Sequence, residues 1–195
     1  MKTLIIDTST QALIVSFVDN EKVILKEIHI GKNNHSDNLL KTIEEGLKKL
    51  NIEVNDFNNV IVGIGPGAYT GLRVSLTVAK MFCWTLNKTL YTVSSLDLLA
   101  SGYFKQDGIY PIMMKAKKGF VYAKVLKVEN NKIEEIVEEQ YLSVEEYTAL
   151  INNYKYDLIV NEENINFDPL LLKENLLTKV EDITFLEPNY LRGVM

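Results

Sequence analysis

The chain has 195 residues, of which 47% are apolar and 24% charged, values that suit one full-sized core or two small ones and exclude disorder and fibrous repeats. Acidic residues exceed basic ones by 26 to 21, for a net charge of -5, which excludes a protein coated by nucleic acid over its whole surface and leaves room for a local basic patch. No apolar run approaches the ~18 residues of a membrane span, Asp7 interrupts any signal-peptide core, and the single cysteine, Cys83, excludes an internal disulfide, so a cytoplasmic location is expected.

Three strands are predicted first: Thr3 to Asp7, Ala12 to Val18 and Val23 to His29, with Asp19-Asn20-Glu21 as a tight turn in an antiparallel meander. From Ser36 to Leu50, Leu39, Leu40, Ile43, Leu47 and Leu50 recur at helical spacing opposite Lys41, Glu44, Glu45, Lys48 and Lys49, an amphipathic helix interrupted by Gly46. The glycine is readable as a point of close helix approach. Val60 to Ile64 is apolar throughout, as expected of a parallel strand covered on both faces.

A helix is predicted from Tyr69 to Leu86. Leu72, Leu76, Ala79, Cys83 and Leu86 mark one face, and Val74, Val78, Met81, Phe82 and Trp84 cover much of the rest. So much apolar surface implies burial from two sides: one by the helix's own sheet, the other by the neighbouring helix or a partner. A short strand at Leu90 to Val93 and a helix beginning at Ser94 or Ser95 complete the first half.

The second half shortens the same theme. Ile109 to Met114, Phe120 to Val128 and Lys132 to Tyr141 read as strands, and Ser143-Val144-Glu145-Glu146 is a capping box that starts a helix. A strand at Tyr156 to Val160 and a last helix opened by Asp168-Pro169 are expected to follow. The two halves divide as residues 1–97 and 98–195.

Chemistry concentrates in Gly63-Ile64-Gly65-Pro66-Gly67-Ala68-Tyr69-Thr70-Gly71-Leu72-Arg73, between a buried strand and a helix. Such a turn points backbone N–H groups and the positive helix end at one place and holds an anion; it also serves simply to let strand and helix pack closely. It is neither a P-loop, because Leu72 follows Gly71, nor a dinucleotide fingerprint, because Ala68 replaces the third glycine. Arginine occurs twice in the chain against nineteen lysines, and Arg73 at the wrong end of the helix dipole needs an anionic neighbour, for which Asp7 is a candidate. His29 and His35 lack metal-ligand spacing, and no serine stands in a nucleophile elbow. Lys115, Lys117 and Lys118 cluster between two strands, as a solvated turn or a phosphate site.

Ile5-Ile6-Asp7-Thr8-Ser9-Thr10, His35-Ser36-Asp37, Gly65 to Arg73, Ser94-Ser95-Leu96 and Tyr190-Leu191-Arg192 together resemble, in order, the TsaB (YeaZ) family. The resemblance implies an α/β actin-like ATPase fold of two related subdomains, like Hsp70 and sugar kinases. It implies a non-catalytic subunit that pairs with TsaD, which transfers threonylcarbamoyl to the adenosine beside the anticodon of tRNA, with TsaE joining as the ATPase. Pairing would use the first two helices, so Leu39, Leu40, Ile43, Gly46, Leu47, Leu72, Leu76, Ala79 and Cys83 are the expected partner surface, with a homodimer when TsaD is absent. Asp7, Gly65, Gly67, Thr70 and Arg73 are the candidates for an anion or a nucleotide at that joint surface; no metal, resident cofactor or catalytic residue is expected. A small-molecule kinase or ATPase of the same fold, and a peptidase, are the alternatives. The chain departs from the family at Lys115 to Tyr122, where relatives carry Asp-Ala-Arg-Arg-x-Glu-Val-Tyr, and Asp7-Thr8-Ser9-Thr10 lacks the glycine with which active kinases of this fold approach phosphate.

Overall fold

The computed structural model describes residues 1–31 and 35–191. Six strands form the first sheet: β1 (Lys2–Asp7), β2 (Ala12–Asp19), β3 (Lys22–Ile30), β4 (Asn59–Gly63), β5 (Thr89–Val93) and β9 (Thr178–Lys179), in the order β3-β2-β1-β4-β5-β9. β1, β4 and β5 are parallel, whereas β2, β3 and β9 run antiparallel to their neighbours. The second sheet is the antiparallel trio β6 (Gly108–Lys115), β7 (Phe120–Glu129) and β8 (Lys132–Ser143). Among the described residues four helices accompany them: α1 (His35–Leu50), α2 (Tyr69–Leu86), α3 (Ser95–Ala100) and α4 (Val144–Ile151). This is the mixed α/β architecture of two sheets expected from the sequence.

Alternation along β1 sorts the core into layers. Leu4 and Ile6 point to one face, where they pack with Leu39 and Ile43 of α1 and Leu76, Ala79 and Cys83 of α2. Ile5 points to the other, into a cluster with Leu96 and Leu99 of α3 and Ile112, Met114, Leu126 and Val128 of the second sheet. Val121 and Ala123, on the far side of that sheet, meet Tyr147 and Ile151 of α4. The tight turns use asparagine in the left-handed region: Asn20 between β2 and β3, Asn130 and Asn131 between β7 and β8, and Asn87 after α2, where its N–H caps the Cys83 carbonyl.

Two expectations fail in the second half. Tyr156 to Val160 is not a strand; Val160 alone makes a parallel bridge to Ile112. Asp168 does cap a helical turn, accepting from the Leu170 N–H, but the turn is a three-residue 3-10 piece, Pro169–Leu171. Leu171, Leu172, Leu176 and Leu177 all pack on the core, and one continuous helix would spread them over more than half its circumference. Among the described residues no helix is long and apolar enough to cross a membrane.

Candidate functional site

The glycine-rich turn closes against the carboxyl end of β1. Asp7 is fully buried there: Oδ1 accepts from the Ser9 N–H at 2.7 Å and the Ser9 hydroxyl at 2.6 Å, and Oδ2 accepts from the Ser95 hydroxyl at 2.6 Å. Ser95 Oγ in turn accepts from the Gly65 N–H at 3.1 Å, and the Ala68 N–H donates to the Ser9 carbonyl at 2.6 Å. A Cβ on Gly67 would overlap Ser9, and one on Gly71 would overlap the Thr8 carbonyl oxygen. Gly65, at φ +118°, faces the Asn189 carbonyl, and its peptide bond to Pro66 is cis. The glycines therefore let two backbone segments touch, and the N–H groups of Gly65 and Ala68 are spent inside the protein.

Arg73 does not reach Asp7. It is exposed, lies 4.3 Å from the centre of the Tyr69 ring and donates from Nε to the Tyr190 hydroxyl at 3.1 Å. That hydrogen bond holds its guanidinium above the ordinary arginine value. Tyr190 stacks on Tyr69 with ring centres 5.2 Å apart, so the Tyr190 hydroxyl and the Tyr69 ring, with the Glu187 charge further off, take the place expected of Asp7. Thr70 is exposed beside them. Arg192 lies outside the described residues.

The expected partner surface needs correction. Leu39, Ile43, Leu72, Leu76, Ala79 and Cys83 are buried in the chain's own core, and burial pushes the Cys83 thiol up to about 12. Leu47 is half-buried on the same cluster. Gly46 marks a close approach of α1 to the sheet, not to α2: a Cβ there would press on Leu25 and Phe17. The periodic stripe is the one that faces the sheet, and what another molecule would meet lies round the helix from it. Of the nine residues only Leu40 is exposed, at 48%. The accessible face of α2 is Tyr69, Arg73, Thr77, Met81 and Trp84, with Trp84 68% and Met81 45% exposed.

The second covering of α2 comes from the chain itself. Val180, Ile183 and Leu186 pack on the cluster that holds Val74 and Phe82. Lys80 donates to the carbonyls of Thr184 at 3.1 Å and Leu186 at 3.2 Å. Residues 180–190 carry almost no regular structure, so periodicity gave no hint of them.

A buried ionic cluster between the sheets also escaped the sequence. Lys124 of β7, 2% exposed, meets Asp97 of α3 at 2.8 Å, Glu139 of β8 at 3.7 Å and, closer still, Glu135. Glu139 also accepts from the Ser94 hydroxyl and, at 3.0 Å, from the Asn189 amide. Burial raises the pKa of Asp97 and Glu139 despite the lysine. Burial also pulls Lys124 down, but its carboxylate neighbours outweigh that and lift it. The strand register is irregular beside Lys124, which hid its direction; the available signal was a lysine within the apolar run Val121 to Val128.

Among the described residues no group of three or more His, Cys, Asp and Glu side chains is placed to hold a metal. Residues 23–187 match the family described as "TsaD: tRNA N6-adenosine threonylcarbamoyltransferase". The chain is 27% identical to the tRNA threonylcarbamoyladenosine biosynthesis protein TsaB of Bacillus subtilis, over 92% of its own length and 78% of that protein's. It is 26% identical to TsaB of Escherichia coli, over 63% of its own length and 53% of that protein's. A crystal structure from Pseudomonas aeruginosa, described as an uncharacterized protein with similarity to peptidase YEAZ, superposes with a TM-score of 0.79 at 19% identity and covers 98% of this chain and 99% of that one. With the sheet order, the packed glycine-rich turn and these similarities in agreement, the chain belongs to the TsaD-related family and, within it, to the TsaB (YeaZ) group.

Proposed function

We propose that this chain serves tRNA threonylcarbamoyladenosine biosynthesis as a partner subunit without catalysis of its own, pairing with TsaD in a complex that TsaE joins. The observation that carries the pairing is the exposed face of α2, where Tyr69, Met81 and Trp84 are open to solvent, with Leu40 of α1 exposed as well. Large side chains of this kind gain roughly 25 cal/mol per Å² when a partner removes them from water, and they are the residue types that anchor interfaces. The reading without catalysis is supported by Asp7, whose carboxylate is held by Ser9 and Ser95 in a buried pocket. In the absence of TsaD, the same face would join a second copy.

The test replaces Trp84 and Met81 separately by glutamate. Both are exposed, so both variants should keep the parent's circular dichroism and melting temperature. Mass in solution, measured with TsaD, should then show the parent as a heterodimer and the variants as separate chains. Folded variants that pair as tightly as the parent would refute the surface. Steady ATP hydrolysis by the pure chain, abolished by Asp7→Asn, would favour the kinase reading instead.

A further inference from the structure

We propose that the tip of the β6–β7 hairpin, with the aromatic rings behind it, is a binding site for single-stranded nucleic acid. The tip is a tight turn closed by two backbone hydrogen bonds, Phe120 N–H to the Lys117 carbonyl at 2.8 Å and Ala116 N–H to the Phe120 carbonyl at 3.0 Å. Gly119, at φ +81° with open space around it, lets the chain turn there. The turn thrusts Lys115, Lys117 and Lys118 into solvent. None of the three forms an ion pair among the described residues. The carboxylates near the tip are otherwise engaged: Glu162 accepts from the Lys115 backbone N–H, and Glu146 accepts from the Ser143 N–H in the α4 capping box. Glu145 is exposed in the first turn of α4. On a chain of net charge -5, the three lysines gather exposed, unpaired positive charge at one turn.

Behind the lysines runs a short ladder of rings. Phe120 and Tyr141 stack face to face, with centroids 4.9 Å apart and planes within 2°. Tyr141 then meets Tyr122 at 5.6 Å. Tyr122 is buried, but Phe120, nearest the turn, is 38% exposed, so the stack ends in an open ring beside three unpaired cations. Lysines on a rigid turn give a polyanion its phosphate contacts. An exposed aromatic ring gives an unpaired base a surface to stack on, and that pairing of features selects single strands over duplexes, whose bases are already stacked. The site lies on the second sheet and stands independently of the α1–α2 pairing surface.

The experiment titrates the full chain into a fluorescent twelve-nucleotide single-stranded RNA at several salt concentrations, with the same-sequence DNA, an RNA duplex and heparin as competitors. Binding is expected with a dissociation constant on the order of 10⁻⁴ to 10⁻⁶ M, and with a salt slope of about -0.7 per phosphate contacted. Replacing Lys117 and Lys118 together by glutamine should shrink the slope by about 1.4. Phe120→Ala should weaken binding by about fivefold or more, with Phe120→Trp restoring it. Single-stranded RNA alone, or RNA and DNA alike, competing better than duplex and heparin supports the site and identifies its natural strand. No binding, equal competition by heparin or duplex, or unchanged affinity of a folded Phe120→Ala variant overturns it. Loss of TsaD pairing leaves this result untouched, so the two readings fail separately.

Discussion

Arg73 and Tyr190 are 117 residues apart, and the arginine donates from Nε to the tyrosine hydroxyl at 3.1 Å, fastening the carboxy-terminal segment across the first turn of α2. The fastening explains how an arginine is tolerated at the positive end of a helix dipole: the Tyr69 ring accepts its charge from one side and the Tyr190 oxygen from another. Tyr190→Phe removes the hydrogen bond and keeps the stack on Tyr69, whereas Arg73→Ala removes both of the arginine's contacts. Hydrogen exchange of the amides at 187–191 is expected to accelerate severalfold in Arg73→Ala and less in Tyr190→Phe. The melting temperature should hardly move, because neither residue belongs to the core. Unchanged exchange in both variants would show that Asn189, which donates to the Ile64 and Glu139 oxygens, holds the segment by itself.

Gly71 tests the packing role of the glycine-rich turn. Its Cα faces the Thr8 carbonyl oxygen with no room for a methyl group, and Thr8 Oγ1 donates back to the Gly71 carbonyl at 2.7 Å. Gly71→Ala therefore has to push β1 and α2 apart. Overpacking of this kind costs about 1–3 kcal/mol, more than the gain in helix propensity of ~1 kcal/mol returns. Chemical denaturation should place the variant below the parent. A variant as stable as the parent would mean that the turn relaxes freely, which would remove the packing account of its glycines.

The sequence was most legible where one periodicity met clear stops. α2 runs from Tyr69 to Leu86 as predicted, because the glycine-rich turn precedes it and Asn87 ends it in the left-handed region. The capping box at Ser143 and Glu146 forms with both of its hydrogen bonds. Asp7 and the glycine-rich segment lie together in the structure, but the sequence offers Asp7 as the partner of Arg73 where the structure has Tyr190, since nothing local links positions 73 and 190. The first helix reads as amphipathic and the second as apolar on most sides, but the stripe expected to meet a partner faces the chain's own core on both. A hydrophobic period shows that a face is buried and does not say against what. The double covering of α2 is legible from its composition, whereas its second cover, the irregular segment 180–190, has no period to read.

Lys124 balances three carboxylates in a place with little water. Lys124→Ala leaves Asp97 and Glu139 buried without their cation. Removing one partner of a buried ion pair costs about 3–5 kcal/mol, a large share of the 5–15 kcal/mol that holds a domain of ordinary stability together. The variant is expected to lose most of its denaturation midpoint, with the second sheet loosened first, since Lys124 is that sheet's ionic tie to α3. Hydrogen exchange at β6 to β8 against β1, β4 and β5 distinguishes this from uniform destabilisation. A loss below ~1 kcal/mol would show that water enters and solvates the carboxylates.

The same cluster sets a pH dependence with a definite sign. Burial raises the carboxyls of Asp97 and Glu139 above their ordinary values of 3.8 and 4.5, so over the window between those values and the raised ones the folded chain binds more protons than the unfolded chain. Stability from these two groups is then fully present below the ordinary values and declines as pH rises through the raised ones. Glu139→Gln replaces a titrating group by a neutral amide of the same shape that can still meet Ser94 and Asn189. It should flatten the decline, so that the melting temperatures of parent and variant diverge in the variant's favour as pH is raised from 4.5 towards neutrality. The comparison between the two proteins cancels the carboxylates they share. A parent and variant whose melting temperatures run parallel across that range would show that Glu139 contributes no titration there, leaving the pH dependence of the cluster to Asp97.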